Sequence, residues 1–125
     1  MRKVDRTLAY VLAVTTFMAA PSASACIPPN IPFDYGSTSL DAGDRVQLDG
    51  FVKSLRKEPA GKLRLIIESD GSKANVRIAK VRAEVIKRAF VRRGVSSSKI
   101  EIESRVRPHP FSRLVFVEIN SAQSC

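Results

Sequence analysis

Arg82 is the residue whose type and position point most directly to chemistry in this sequence. It lies in the stretch NVRIAKVRAEVIKRAFVRRG, whose apolar spacing predicts an amphipathic helix from about Asn75 to Arg93. The apolar arc of that helix consists of Ile78, Ala79, Ala83, Val85, Ile86, Ala89 and Phe90. Arg82 projects from within this arc, and an unpaired buried charge is costly. We therefore expect its guanidinium to bind a carboxylate or another acceptor.

Three acidic residues could supply that acceptor from within the protein. Glu68 and Asp70 stand at the end of a predicted strand, and Glu84 follows Arg82 on the same helix. A salt bridge to any of them would satisfy the guanidinium internally. A bound ligand that carries the acceptor is the other interpretation, and the local sequence leaves both open.

The elements that position Arg82 follow in the order strand, helix, strand, helix, strand, strand. The strand candidates are residues 31–35, 62–69, 100–104 and 113–119, and the first helix runs from an N-cap at Ser37, Ser39 or Asp41 to about Lys57. Gly94 is placed to end the second helix. This order predicts an α/β (α+β) two-layer sandwich, βαβαββ, with a mixed sheet and two helices on one face.

Two finer expectations follow from the same pattern. The last two strands are expected to form an antiparallel hairpin around the loop at residues 105–112. Asp41, Asp44 and Asp49 are expected to lie on the solvated face of the first helix.

Residues 1–25 have the pattern of a signal peptide. Basic residues at the start precede an apolar run at residues 7–20, and Ala23-Ser24-Ala25 has the small side chains of a cleavage site. The apolar run is short for a membrane span. We predict an exported domain at residues 26–125, with its core at 31–119 and no transmembrane span in the mature chain.

The two cysteines, Cys26 and Cys125, stand at the ends of the predicted mature chain. In an oxidising compartment an even pair suggests a disulfide, which we favour. Lipidation of Cys26 is the alternative, since Ala23-Ser24-Ala25-Cys26 is a marginal lipobox in which Ala23 replaces the usual Leu.

The predicted mature chain is basic. The whole chain has 21 Lys and Arg against 12 Asp and Glu, and residues 1–25 hold three of the former and one of the latter, which leaves a net charge of +7. Export and the lack of an aromatic stacking motif argue against nucleic acid as the partner. Anionic envelope polymers, lipid headgroups and carboxylate-bearing wall peptides fit better.

No other set of residues suggests catalysis or metal binding. His109 is the only histidine, it lies between two prolines, and no cluster of cysteine, histidine and carboxylate accompanies it. No Ser–His–Asp or Cys–His arrangement is available for nucleophilic catalysis. We predict a protein that is not an enzyme and needs no cofactor or metal.

Four segments cover about residues 31–119: FDYGSTSLDAGDRVQLDGF, SDG with a following Asn, RIAKVRAEVIKRAFVRRGVSSSKI and RLVFVEI. Together they resemble the OmpA-like C-terminal domain, which also occurs in peptidoglycan-associated lipoproteins and flagellar motor stators. Ser69-Asp70 stands at the family's T-D position. The family's N-x-x-L-S-x-x-R-A-x-x-V pattern falls on Asn75, Ile78, Ala79, Arg82, Ala83 and Ile86.

The resemblance implies a site for the diaminopimelate of peptidoglycan stem peptides. Carried over, Asp70 accepts from the ammonium of the ligand and Arg82 binds its carboxylate through two parallel hydrogen bonds. Ser69 and Asn75 complete the implied site, and Arg113 is a further possible contact. The implied location is the periplasm or outer-membrane-associated envelope of a Gram-negative bacterium.

Departures from the family pattern support an alternative function. The loop between Asp70 and Asn75 and the excursion at Arg105–Ser112 are both shorter than in familiar members. On this alternative the domain is a degenerate OmpA-like fold. It would serve as an envelope adaptor that contacts another envelope protein without binding peptidoglycan.

Overall fold

The structure, a computed structural model, describes residues 28–119 of the chain. Its strands are β1 (Asn30–Pro32), β2 (Leu63–Ser69), β3 (Ile100–Val106) and β4 (Leu114–Ile119), and its helices are α1 (Ala42–Arg56) and α2 (Lys73–Arg92). A short 3-10 helix, Ser97–Lys99, precedes β3. The predicted order of strands and helices is confirmed. The predicted signal peptide and both cysteines lie outside the described residues.

The four strands form one mixed sheet in the order β1-β4-β2-β3. Strands β2 and β3 are parallel, with Leu65 opposite Ile102, whereas β4 runs antiparallel to both β2 and β1. The predicted hairpin of the last two strands is therefore wrong, because β4 lies between β1 and β2. Burial explains the order: Val115, Phe116 and Val117 are buried on both faces of β4, as suits a central strand.

Both helices pack on the same face of the sheet, as predicted. Alternate residues of β2 point into one apolar core, which also takes Leu48 and Val52 from α1 and Ile86 and Phe90 from α2. The β2 residues in that core are Leu63, Leu65 and Ile67. Phe51 and Phe90 meet edge to face at a centroid distance of 6.4 Å, which ties the two helices together.

The ends of α2 are set by local hydrogen bonds. Ser72 is the N-cap, so the helix starts two residues before the predicted Asn75. Its C-terminal end is a Schellman motif, in which Gly94 N–H donates to Val91 O at 3.0 Å and Val95 N–H donates to Phe90 O at 3.1 Å. Gly94 has φ 93°, which favours glycine, and its predicted role as the C′ residue is confirmed.

Helix α1 begins with a capping box built from two aspartates. Asp41 Oδ1 accepts from Asp44 N–H at 2.7 Å, and Asp44 Oδ2 accepts from Asp41 N–H at 3.0 Å. Asp44 is only 7% exposed, and burial raises the pKa of its carboxyl. The expectation that Asp44 lies on a solvated face is therefore wrong, because capping the helix turns its side chain back toward the backbone.

Candidate functional site

Arg82 lies on the core side of α2 with its guanidinium enclosed by protein. The residue is 2% exposed. Nε donates to Ser37 O at 2.8 Å, Nη1 to Ser112 O at 3.1 Å and Nη2 to Asp34 O at 3.1 Å. The guanidinium carbon lies 5.3 Å from the centre of the Phe33 ring, in cation–π range. The buried arginine that the helical spacing predicts is present, and its acceptors are backbone carbonyls.

These three hydrogen bonds join two loops through one side chain. Asp34 and Ser37 belong to the loop between β1 and α1, whereas Ser112 precedes β4. Phe33 N–H also donates to Arg113 O at 2.8 Å, so the same two segments meet through the backbone. Arg82 therefore joins the loop between β1 and α1 to the segment that leads into β4.

No carboxylate among residues 28–119 forms an ion pair with Arg82. The interpretation that Asp70, Glu68 or Glu84 neutralises it internally is thus wrong. Burial lowers the pKa of Arg82, and the nearby charge of Arg113 lowers it further. Three of the five guanidinium N–H donors have protein acceptors, which leaves one on each terminal nitrogen without a protein acceptor.

Asp70 lies exposed in the turn between β2 and α2. Its Oδ1 accepts from Ser72 N–H at 2.9 Å, and its Oδ2 accepts from the Asn75 side-chain amide at 3.0 Å. These hydrogen bonds lower the pKa of Asp70, with the Ser72 backbone as the largest cause. Asp70 is held as an ionised carboxylate at the start of α2.

Ser69 and Gly71 complete this turn. The hydroxyl of Ser69 is buried and accepts from Gly71 N–H at 3.2 Å, while Ser69 O accepts from Arg107 N–H at 2.9 Å. Gly71 has φ 88°, and a Cβ there would approach Val106 to 3.3 Å. Since Ser72 N–H and Gly71 N–H both have acceptors inside the turn, they are not open donors for an anion.

The structure thus groups the sequence-predicted residues into two sets. Ser69, Asp70 and Asn75 form the turn at the start of α2, whereas Arg82 and Arg113 lie together at the junction of the two loops. Asn75 and Arg82 are seven residues apart, about 10 Å along the helix axis. No hydrogen bond joins the two sets.

Sequence reasoning missed the residues whose main-chain oxygens accept hydrogen bonds from Arg82. Asp34, Ser37 and Ser112 contribute carbonyls, which every residue type has, so no side-chain pattern marks them. Glu68 has a further role that the sequence did not show. Its Oε1 accepts from Phe111 N–H at 3.2 Å and its Oε2 lies 3.1 Å from Arg107 Nε, which fixes the loop before β4 from the face opposite the helices.

The described part of the chain has neither a metal-binding cluster nor a membrane-spanning helix. Within residues 28–119, no three His, Cys, Asp or Glu side chains are grouped so that they could hold a metal ion. Neither of the two described α-helices is long and apolar enough to cross a membrane.

The fold is similar to three solved bacterial domains. A peptidoglycan-associated lipoprotein from Burkholderia pseudomallei has a TM-score of 0.63 at 20% identity, covering 72% of this chain and 88% of that one. The C-terminal domain of Helicobacter pylori MotB has 0.59 at 15%, covering 73% and 81%. The OmpA-like domain of FopA1 from Francisella tularensis subsp. tularensis SCHU S4 has 0.57 at 14%, covering 72% and 73%.

Sequence comparison identifies the family. The curated proteins include no match to this chain. The family model described as the OmpA family matches residues 32–115, a span that includes Arg82, Asp70 and both loops that enclose the guanidinium. The match covers well over half of the chain, and the chain belongs to the OmpA family.

Proposed function

We propose that this protein is a cell-envelope module that binds peptidoglycan non-covalently, and that it takes the diaminopimelate of stem peptides. The observation that carries the proposal is the charge of Arg82, which no carboxylate among residues 28–119 neutralises. A buried cation without a counter-ion favours an anionic ligand beside it. Exposed Arg113, whose charge already acts on Arg82, adds a second positive group there.

The two sets of residues suit the two ends of an amino-acid zwitterion. Asp70 is exposed and stays ionised, so it can accept from a ligand ammonium while Asn75 and Ser69 hold the turn. Arg82 and Arg113 attract the carboxylate. Direct contact with Arg82 requires the turn at residues 34–37 to move, because its carbonyls cover the guanidinium. The Burkholderia neighbour is named a peptidoglycan-associated lipoprotein, and we extend that association to this chain.

Co-sedimentation with purified sacculi tests the proposal. We expect Asp70→Asn and Arg113→Gln each to reduce the bound fraction several-fold, and the double variant to bind still less. Glu84→Gln is the control for loss of a charged side chain, since Glu84 is an exposed carboxylate on α2 that does not belong to the proposed site. Equal sedimentation of the double variant, the control and the wild type would show that this site does not bind peptidoglycan.

Competition with free amino acids tests the ligand assignment. Meso-diaminopimelate should displace the protein from sacculi, whereas lysine should displace it much less, because lysine lacks the second carboxylate. In an NMR titration the amides of residues 34–37, 70–75 and 112–113 should shift together. Displacement by lysine at the same concentration would contradict the assignment.

The proposal places the protein in the periplasm or at the outer membrane of a Gram-negative bacterium. The predicted signal peptide at residues 1–25 supports export of a domain at residues 26–125. We retain a disulfide between Cys26 and Cys125 in preference to lipidation of Cys26. A binding module of this kind performs no reaction, so we do not propose an enzyme.

A specific observation also favours a second candidate, an envelope adaptor that does not bind peptidoglycan. Arg82 is 2% exposed, and its three hydrogen bonds already hold the fold together. On this candidate Arg82 is structural, and the exposed surfaces contact another envelope protein. Loss of sacculus binding in Asp70→Asn would exclude it, whereas wild-type protein that never sediments with sacculi would favour it.

A further inference from the structure

The outer side of helix α2 carries much of the positive charge of this protein. The helix has 20 residues, of which seven are Lys or Arg and only Glu84 is acidic. Apart from the buried Arg82, these cations form what we term the basic face: Lys73, Arg77, Lys80, Lys87, Arg88 and Arg92. None of the six forms an ion pair with a carboxylate of the described chain. The basic face thus carries six positive charges over about 30 Å, against the single negative charge of Glu84 on the same side of the helix.

Cations on the opposite side of the molecule are neutralised. On the face of the sheet away from the helices, Arg64 lies 3.6 Å from Glu103 and 3.5 Å from Glu118. Arg105 pairs with Glu103, and Arg107 pairs with the buried Glu68. The molecule is therefore electrically polarised, and an anionic partner meets its attractive field on the helix side.

A cleft between the two helices adds a place for a compact anion beside the basic face. It has a volume of 270 Å³, and its lining includes Arg45 from α1, Arg92 and Arg93 from the end of α2, and Thr38 and Ser39 from the preceding loop. Arg93 is already bound to Asp49 and to a backbone carbonyl. Arg45 and Arg92 have no carboxylate partner among residues 28–119. Two free guanidinium groups near two hydroxyl side chains suit the oxygen atoms of a phosphate.

Exposed valines accompany these cations. Val46 on α1 is 71% exposed, and Val81 and Val91 on α2 are 40% and 43% exposed. They are half of the six large apolar side chains that are exposed among the described residues. A soluble polyanion gains nothing from apolar contacts, whereas the boundary between headgroups and acyl chains accepts both cations and apolar groups.

We propose that the basic face and the adjoining cleft dock on an anionic phospholipid surface, with Arg45 and Arg92 holding headgroup phosphates. The apolar side of α2 stays in the protein core, so the attachment is peripheral and mainly electrostatic. This inference is independent of peptidoglycan binding, because none of its residues belongs to the site formed by Asp70, Arg82 and Arg113.

Vesicle flotation of the purified chain tests the proposal without any peptidoglycan present. The protein should float with phosphatidylcholine vesicles that contain phosphatidylglycerol and should not float with phosphatidylcholine alone. Binding should be lost in about 1 M salt, where the Debye length falls to about 3 Å. The Arg88→Gln, Arg92→Gln double variant should partition roughly 20- to 30-fold more weakly, since each cation near such a surface contributes about fivefold.

A double variant with the same net charge separates a local site from bulk attraction. Arg64→Gln with Arg105→Gln removes two charges from the opposite face and should weaken partition only slightly. Circular dichroism checks that each variant is folded. Arg45→Gln with Arg77→Gln is a second test pair beside Arg88→Gln with Arg92→Gln, and it should weaken partition in the same way. Equal losses in test and control pairs would overturn the proposal. Absence of binding to anionic vesicles, or binding to soluble polyphosphate but not to vesicles, would overturn it equally.

Discussion

Arg82 stabilises the fold by donating hydrogen bonds to three backbone carbonyls. It donates to the carbonyls of Ser37, Asp34 and Ser112 from a position that is almost fully enclosed. Its removal leaves three carbonyls without their donor, and an unsatisfied buried polar group costs about 1–3 kcal/mol. Even if Arg82 also contacts a ligand, its first role is to join two loops.

We expect Arg82→Ala to lower the free energy of unfolding by about 3 kcal/mol or more, from these unsatisfied carbonyls and the lost packing on Phe33. Arg82→Lys should recover part of this loss, because one ammonium can reach fewer of the three carbonyls. Urea denaturation measures both. Arg77→Ala is the control, since exposed Arg77 should change stability by no more than about 0.5 kcal/mol. A loss below about 1 kcal/mol in Arg82→Ala would contradict the structural role.

Asp70 is a second residue whose role can be measured, through the pKa of its carboxyl group. The Ser72 backbone and the Asn75 amide lower its pKa, so we expect an NMR titration midpoint below the usual aspartate range. Because the folded-state pKa is lowered, this group stabilises the fold above the usual aspartate pKa. That contribution is lost as the pH falls through the lowered value. Asn75→Ala should move the midpoint upward, and an unchanged midpoint would mean that the hydrogen bond is not formed in solution.

At the scale of elements, two glycines should respond to the same substitution with opposite signs. Gly94 ends α2 with φ 93°, so Gly94→Ala should lower the free energy of unfolding by about 1–2 kcal/mol. Gly50 lies inside α1, and a Cβ there meets nothing within 4 Å. Gly50→Ala should therefore raise the free energy of unfolding by about 0.5–1 kcal/mol. Thermal denaturation of both variants checks the pair, and a shift in the same direction would contradict it.

The elements show where local sequence rules succeed and where they do not. The α2 spacing and Gly94 predicted the helix and its end, because both depend on residues close in the chain. The hairpin prediction was wrong, because the neighbour of β4 is decided by pairing with β2 residues that lie 48 to 56 positions away in the chain. Asp44 was misassigned to solvent, because the capping box competes locally with the helical face pattern.

For the whole molecule, the sheet brings the two ends of the described chain together. Val117 N–H donates to Pro29 O at 2.9 Å, and Pro29 is three residues after Cys26. Cys125 follows the end of β4 by six residues, a chain length that reaches at most about 20 Å. The predicted disulfide is therefore within the reach of the chain.

We expect the mature protein to have a mass lower than that of the reduced chain by two hydrogen atoms, which the two thiols lose as two protons and two electrons when the disulfide forms. Reduction should lower the melting temperature, since closing a loop of about 100 residues contributes roughly 4–5 kcal/mol in the chain-entropy account. Mass spectrometry before and after reduction measures the mass difference, and calorimetry measures the change in melting temperature. Cys26→Ser is the matched variant, and it should melt like the reduced wild type. An added acyl mass would instead show lipidation of Cys26.

The sequence by itself determined the order of elements, the two-layer architecture and the need of Arg82 for an acceptor. These follow from apolar periodicity, capping residues and the cost of a buried charge, all of which can be read along the chain. Only the tertiary structure decided that the acceptors are the carbonyls of Asp34, Ser37 and Ser112, and that β4 lies between β1 and β2. Backbone carbonyls are common to every residue, so their use depends on which loops the fold brings to Arg82.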